Sequence, residues 1–158
     1  QGKYEEADLV CVRVIDILEK ALGPDHPDLA SGLSGRAQVL NLQRYNEADL
    51  IFLRAIGIQE KALGANHPEM AISLGSRAQV LQAQGEYQEA DLVFLRAIEI
   101  FEKAVGADHP DLAVCLGSRA RVLHAQGKHE EADPLLLRAI GIQEKALGAN
   151  HAEVAISL

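Results

Sequence analysis

Four histidines, His26, His67, His109 and His151, recur at a nearly constant spacing and are the first residues in the chain whose type could do chemistry. Imidazole is the commonest metal ligand and a ready general base. One ion, however, holds its ligand nitrogens at bonds near 2 Å, and each of these histidines stands a full repeat from the next. They are read instead as helix caps, each placed where the first turn of a following helix leaves amide donors unpaired. The segment His129-Glu130-Glu131 has no second histidine four residues on, as a zinc protease helix requires, and is read as a helix start. QGKYEEAD and QGKHEEAD contain Gly-Lys without the phosphate-loop spacing and without Ser or Thr after the lysine. Ser34, Ser76 and Ser118 have no paired base or nucleophile-elbow context, and Cys115 has no recognisable histidine partner. The expectation is a protein that is not an enzyme, with no cofactor and no metal ligands.

The elements that position these residues follow from repetition. RAIGIQEKALGANH occurs at 54–67 and again, letter for letter, at 138–151, an offset of 84 residues, or two repeats of 42. The same clock aligns Ala7, Ala48, Ala90 and Ala132, and Gly23, Gly64, Gly106 and Gly148; the first step is 41 and the others 42. A fixed period in this range marks a solenoid, whose units bury their apolar faces only by stacking on their neighbours. Within one unit, Ala90, Phe94, Ala97, Ile98, Phe101 and Val105 lie three and four apart, the stripe of a helix. Leu112, Leu116, Ala120 and Leu123 repeat it, so each unit contributes two helices. Gly106 is expected to end one helix as a left-handed cap, and Pro110 opens the next where no amide donor is needed. His109 or Asp108 caps it, and Asp111 places negative charge at its positive end. The turn at Gln126, Gly127 and Lys128 again has glycine after a helix. In the first repeat, NLQRYNEAD is one residue shorter than QAQGEYQEAD and lacks the glycine, so that turn should differ.

The fold class expected is all-α, a right-handed αα superhelix of antiparallel helix pairs at roughly 5–42, 46–84, 88–126 and 130–158, forming a single array over residues 1–158. The final pair reads as truncated, Ala152 replaces the proline of the other units, and the chain looks cut from a longer one. An apolar end face left open there would favour end-to-end self-association. With 48% hydrophobic and 24% charged residues the chain reads as soluble and globular. No apolar run approaches the ~18 residues of a membrane span, and no signal peptide is visible. Cys11 and Cys115 are about two and a half repeats apart, too far for a bridge, which fits a reducing, cytoplasmic setting. A net charge of −8 and a pI near 5.2 disfavour nucleic acid and any other polyanion.

The column pattern resembles the tetratricopeptide repeat in its 42-residue form, found in kinesin light chains and in the sensor arrays of NB-ARC and related signal-transduction ATPases. In that motif a small residue of the first helix is followed by two alanines of the second, as in Ala78, Ala90 and Ala97, in Ala120, Ala132 and Ala139, and in Ala37, Ala48 and Ala55. The phrases GPDHPDLA and QGKYEEAD are similar to kinesin light chain text. Where that family reads LNNLA, this chain has LSGRA, LGSRA and LGSRA, so the asparagines of the inner surface are absent. The resemblance implies that first-helix positions line a concave groove that takes an extended peptide or partner helix.

Comparing the units with one another separates frame from surface. Leu33, Leu74 and Leu116, then Leu40, Leu81 and Leu123, then Cys11, Phe52, Phe94 and Leu136 are packing columns. Variable columns mark the candidate groove: Ser31, Ile72 and Val114; Ser34, with Gly75 and Gly117; Gln38, Gln79 and Arg121; Asn41, Gln82 and His124. Arg121 and His124 there would favour a protein or peptide partner with acidic residues. A column of arginines, Arg36, Arg77 and Arg119, is read as structural, bonding helix ends or the column of Asp8, Asp49, Asp91 and Asp133. Arg13, Arg54, Arg96 and Arg138 are read as surface charge. The whole is expected to act as an interaction scaffold in a larger protein, with a structural spacer or self-association element as the alternative.

Overall fold

Short-range signals set the helices. In the computed structural model, which describes residues 2–40 and 44–147, seven helices occur in order. They are α1 (Gly2–Leu22), α2 (Pro27–Leu40), α3 (Tyr45–Leu63), α4 (Pro68–Gln84), α5 (Tyr87–Ala104), α6 (Pro110–Ala125) and α7 (His129–Leu147). The even-numbered helices begin on proline, and the histidine before it caps them. Nδ1 of His26, His67 and His109 accepts from the amide of Asp28, Glu69 and Asp111 at 3.2, 3.3 and 3.3 Å, and the acidic residue sits in the positive first turn. The fourth aligned histidine, His151, lies outside the described residues, as do the open end face and the helix expected at 151–158.

Glycines close the turns with positive φ. Gly85 (φ 84, ψ 7) is a left-handed cap, with Glu86 N donating to Leu81 O at 2.9 Å. Lys128 N donates to Leu123 O in the same way around Gly127. Gly106, expected as a left-handed cap, follows the cap residue Val105 and has φ +92, and its equivalent Gly64 combines φ 90 with ψ 159, outside the left-handed helical region and open to glycine alone. That turn runs extended into the next cap rather than coiling back. The shortened first-repeat turn falls on residues 41–43, outside the described ones.

Neighbouring helices in sequence pack antiparallel, most extensively α2 on α3, α4 on α5 and α6 on α7. Their shared core contains Leu33, Leu74 and Leu116, with Leu40, Leu81, Phe52 and Phe94, all buried. Ala48, Ala55, Ala90 and Ala97 are fully buried where the helices cross. At the first unit the core thins, since Cys11 is half-buried and Val14 is exposed.

Two rows result, and their spacing sets the curvature. The even helices touch through small residues: Ser34 Oγ lies 3.1 Å from Ser73 Oγ across α2 and α4, and a Cβ added at Gly75 of α4 would lie 3.1 Å from Cys115 Sγ of α6. The odd helices are bridged by long side chains instead, Arg54 to Glu19, Arg96 to Glu60 and Arg138 to Glu102 at 2.6, 3.0 and 2.6 Å. Close approach on one side and long-side-chain bridges on the other place α2, α4 and α6 on the inner curve of the stack. No helix of the described residues is long and apolar enough to cross a membrane.

Candidate functional site

The inner groove is built by the contact of α4 with α6. Because glycine at 75 lets the Cys115 side chain in, the two helices come close enough for the exposed Ile72 and Val114, one from each, to form a common apolar floor. A groove of about 240 Å³ opens above it, bounded also by Ser76, Gln79, Phe101 and Asp111. Helix α6, which forms one wall, differs in charge at its two ends. Asp111 stands in the first turn of α6, while Arg121 and His124 stand in its last turns, about 15–20 Å away at the rise of an α-helix.

Ile72, Gln79 and Val114 are therefore brought together, and the remaining candidates are placed separately. Gln38 is exposed on α2, and Gln82 is half-buried on α4. Ser31 Oγ donates to Pro27 O of its own helix at 3.3 Å, and Ser34 is used in the contact with Ser73. Arg121 Nη2 donates to Ser118 Oγ at 2.9 Å. His124 meets His129 of α7, and Asn41 lies outside the described residues. Asp111 and Cys115 were not among the groove residues expected from the columns. Asp111 carried only its helix-dipole role, and Cys115 belongs to the column of Gly32 and Ser73, where the change from glycine to serine to cysteine was the available signal. Burial, reinforced by the charge of Asp111, pushes the Cys115 thiol up to about 12, so at neutral pH it is a protonated packing group and not a nucleophile.

The arginine column is structural. Arg36, Arg77 and Arg119 each donate through Nε to the aspartate 28 residues earlier, Asp8, Asp49 and Asp91, at 2.6, 2.7 and 2.6 Å. Arg36 and Arg77 also reach forward to Glu47 and Glu89 at 2.9 and 2.6 Å, so each guanidinium joins three successive helices. The bond to Asp8 raises the Arg36 pKa against the cost of burial. At Arg77 burial is the largest influence and opposes the charge, yet the bonds to Asp49 and Glu89 outweigh it and the pKa rises. The outer column of Arg54, Arg96 and Arg138 is surface charge, half-exposed and paired with glutamates of the preceding unit.

On the outer row a stripe of leucines faces solvent: Leu9, Leu50, Leu92 and Leu137 are 70, 66, 66 and 71% exposed. Pro134 occupies the column of Leu9, Leu50 and Leu92 inside α7, where it removes one intrahelical bond.

Comparison with known proteins agrees with this geometry. A family model described as tetratricopeptide repeat matches residues 40–103 and 75–145, and a second such model matches residues 1–28. No curated protein matches the sequence significantly. Among solved structures, a Podosopora anserina protein described as a kinesin light chain with nearly identical TPR-like repeats is 28% identical, with a TM-score of 0.81 over 99% of this chain and 74% of that one. A single-substitution variant of it is 27% identical with a TM-score of 0.83 over the same shares. BtubC (BKLC) from P. vanneervenii shares the fold at 17% identity, with a TM-score of 0.84 over 95% of this chain and 60% of that one.

Proposed function

The chain belongs to the tetratricopeptide repeat family, whose arrays mediate protein–protein interaction, and from that premise we propose that the groove between α4 and α6 holds an extended segment of a partner protein. The observation that carries this reading is the exposed apolar pair Ile72 and Val114, 47 and 51% exposed, at the floor of a groove with polar walls. Isolated exposed apolar residues are ordinary, but two from separate helices sharing one concavity are what an apolar anchor residue needs. Gln79 offers its amide to a peptide backbone in the groove, and a segment that runs on along α4 and α6 would pass Gln82 and then Arg121 and His124, which favour an acidic side chain. Because the helices are pre-formed, binding orders the ligand rather than the array. The chain would serve as the recognition segment of a larger protein.

Binding to an array of ten-residue peptides, each with a central aliphatic or aromatic residue and acidic or basic flanks, tests this. Acid-flanked peptides are expected to bind, and replacing Gln79, Gln82, Arg121 and His124 together by alanine should weaken capture about tenfold or more while helicity and melting stay unchanged. Equal capture by that variant, or no preference between acidic and basic flanks, would refute the assignment.

A second reading, self-association, is favoured by the outward leucines, which recur at the same face of successive units. Light scattering separates the two. Concentration-dependent assembly abolished by Leu50→Glu with Leu92→Glu supports the second reading, and a constant monomer mass removes it.

A further inference from the structure

Two departures from the repeat pattern coincide at the turn from α6 to α7. His124 stands in the column of Asn41 and Gln82, and His129 in the column of Tyr4, Tyr45 and Tyr87. The fold brings the two rings together, with Nδ1 of His124 2.6 Å from Nδ1 of His129, centroids 4.9 Å apart and planes tilted by 46°. Main-chain bonds hold this approach, Gly127 N to His124 O and Lys128 N to Leu123 O, both 2.9 Å, around Gly127 with φ 78. Behind His124, Nε2 faces Oδ1 of Asp133 at 3.6 Å.

Two imidazole nitrogens so close cannot both carry protons toward each other. At 3.6 Å the Asp133 carboxylate acts on His124 Nε2 through its charge rather than a hydrogen bond and favours the proton there, which leaves the Nδ1 lone pair directed at His129. A carboxylate behind an imidazole is also the arrangement that orients a histidine toward a metal and makes it a stronger donor. We propose that His124 and His129 form a two-imidazole site for a divalent transition metal ion of the zinc, nickel or copper class, with Asp133 as its positioning residue. Imidazole suits these ions, whereas calcium and magnesium demand oxygen ligands. Bonds near 2 Å in tetrahedral geometry set the two nitrogens about 3.3 Å apart. The rings must therefore part by about 0.7 Å, and there is room because His129 is exposed and His124 is half-exposed. Among the described residues no group of three or more His, Cys, Asp or Glu converges as a metal site. The ion thus holds two protein nitrogens and keeps its other positions open to water.

Neighbouring units supply the control substitutions. His124→Gln and His129→Tyr install residues that the preceding unit carries at the same columns, Gln82 and Tyr87, and are therefore compatible with the helix pair. Titration of the 158-residue chain with zinc chloride, followed by calorimetry, is expected to show one equivalent bound, and binding should be lost in both variants while circular dichroism remains unchanged. Asp133→Asn should weaken zinc affinity about tenfold with no shift in melting of the metal-free chain, and Asp133→Glu should restore it in part. Absence of one-site binding up to millimolar zinc, or binding retained in both histidine variants, overturns the site. Unchanged affinity in Asp133→Asn overturns the positioning role.

Discussion

Phe94→Ala is expected to lower the free energy of unfolding by about 3–5 kcal/mol, the range for truncating a fully buried aromatic ring. Phe94 has no exposed surface, and it lies on α5 at the centre of the stack. Its loss leaves a cavity between units that touch only their neighbours, so coupling on both sides weakens at once. Urea denaturation followed by circular dichroism should show a lower midpoint and a broader or two-step transition. Two companion changes give the scale. Leu136→Ala, in the same column but half-buried at the last unit, should cost clearly less. Leu92→Ala, 66% exposed on the outer face, should stay within about 0.5 kcal/mol. A Phe94→Ala midpoint equal to that of Leu92→Ala would show that α5 does not pack as described.

Arg77→Ala is expected to cost about 2–3 kcal/mol. Arg77 is 9% exposed and its guanidinium bonds Asp49 of α3 and Glu89 of α5, so its removal strips partners from two carboxylates and unties three helices. Breaking a fully buried pair costs about 3–5 kcal/mol. The lower figure follows because Asp49 is partly, and Glu89 half, open to water, which screens the charge left behind. Arg96→Ala removes a pair at 3.0 Å, to Glu60, from a half-exposed setting and should cost less than about 0.5 kcal/mol. The two arginines differ in burial and in the number of carboxylates they hold, two for Arg77 and one for Arg96. A double-mutant cycle of Arg77→Ala with Asp49→Ala should show coupling above about 1 kcal/mol. Additive effects would mean that the Asp49 bond contributes nothing and that Arg77 acts through Glu89 or the packing of its stem.

Much of the fold was legible because a solenoid turns tertiary contacts into short-range ones. The arginine that meets an aspartate 28 residues away does so in each of three units, so the pairing could be read as a column before any contact was seen. The histidine caps, the prolines at the helix starts and the glycine turns are likewise local, fixed by the unpaired amides and carbonyls of one helical turn. The candidate site was legible only in part. Column variation pointed to Ile72, Gln79 and Val114, which do share a groove. It pointed equally to Ser31 and Arg121, whose side chains bond within their own helices.

Period, helix boundaries, packing columns and the arginine ladder were thus determined by the chain's own repetition, since each rests on interactions within a unit or between adjacent ones. The tertiary structure alone decided how close α4 comes to α6, through Gly75 and Cys115, and with it the groove. It also decided that His124 and His129 meet across a turn and that the outer leucines face water. The physical reason is common to all three. Helix separation and the direction of a side chain beyond its own helix are set by the volumes packed at a crossing, a property of two surfaces together that neither strip of sequence carries alone.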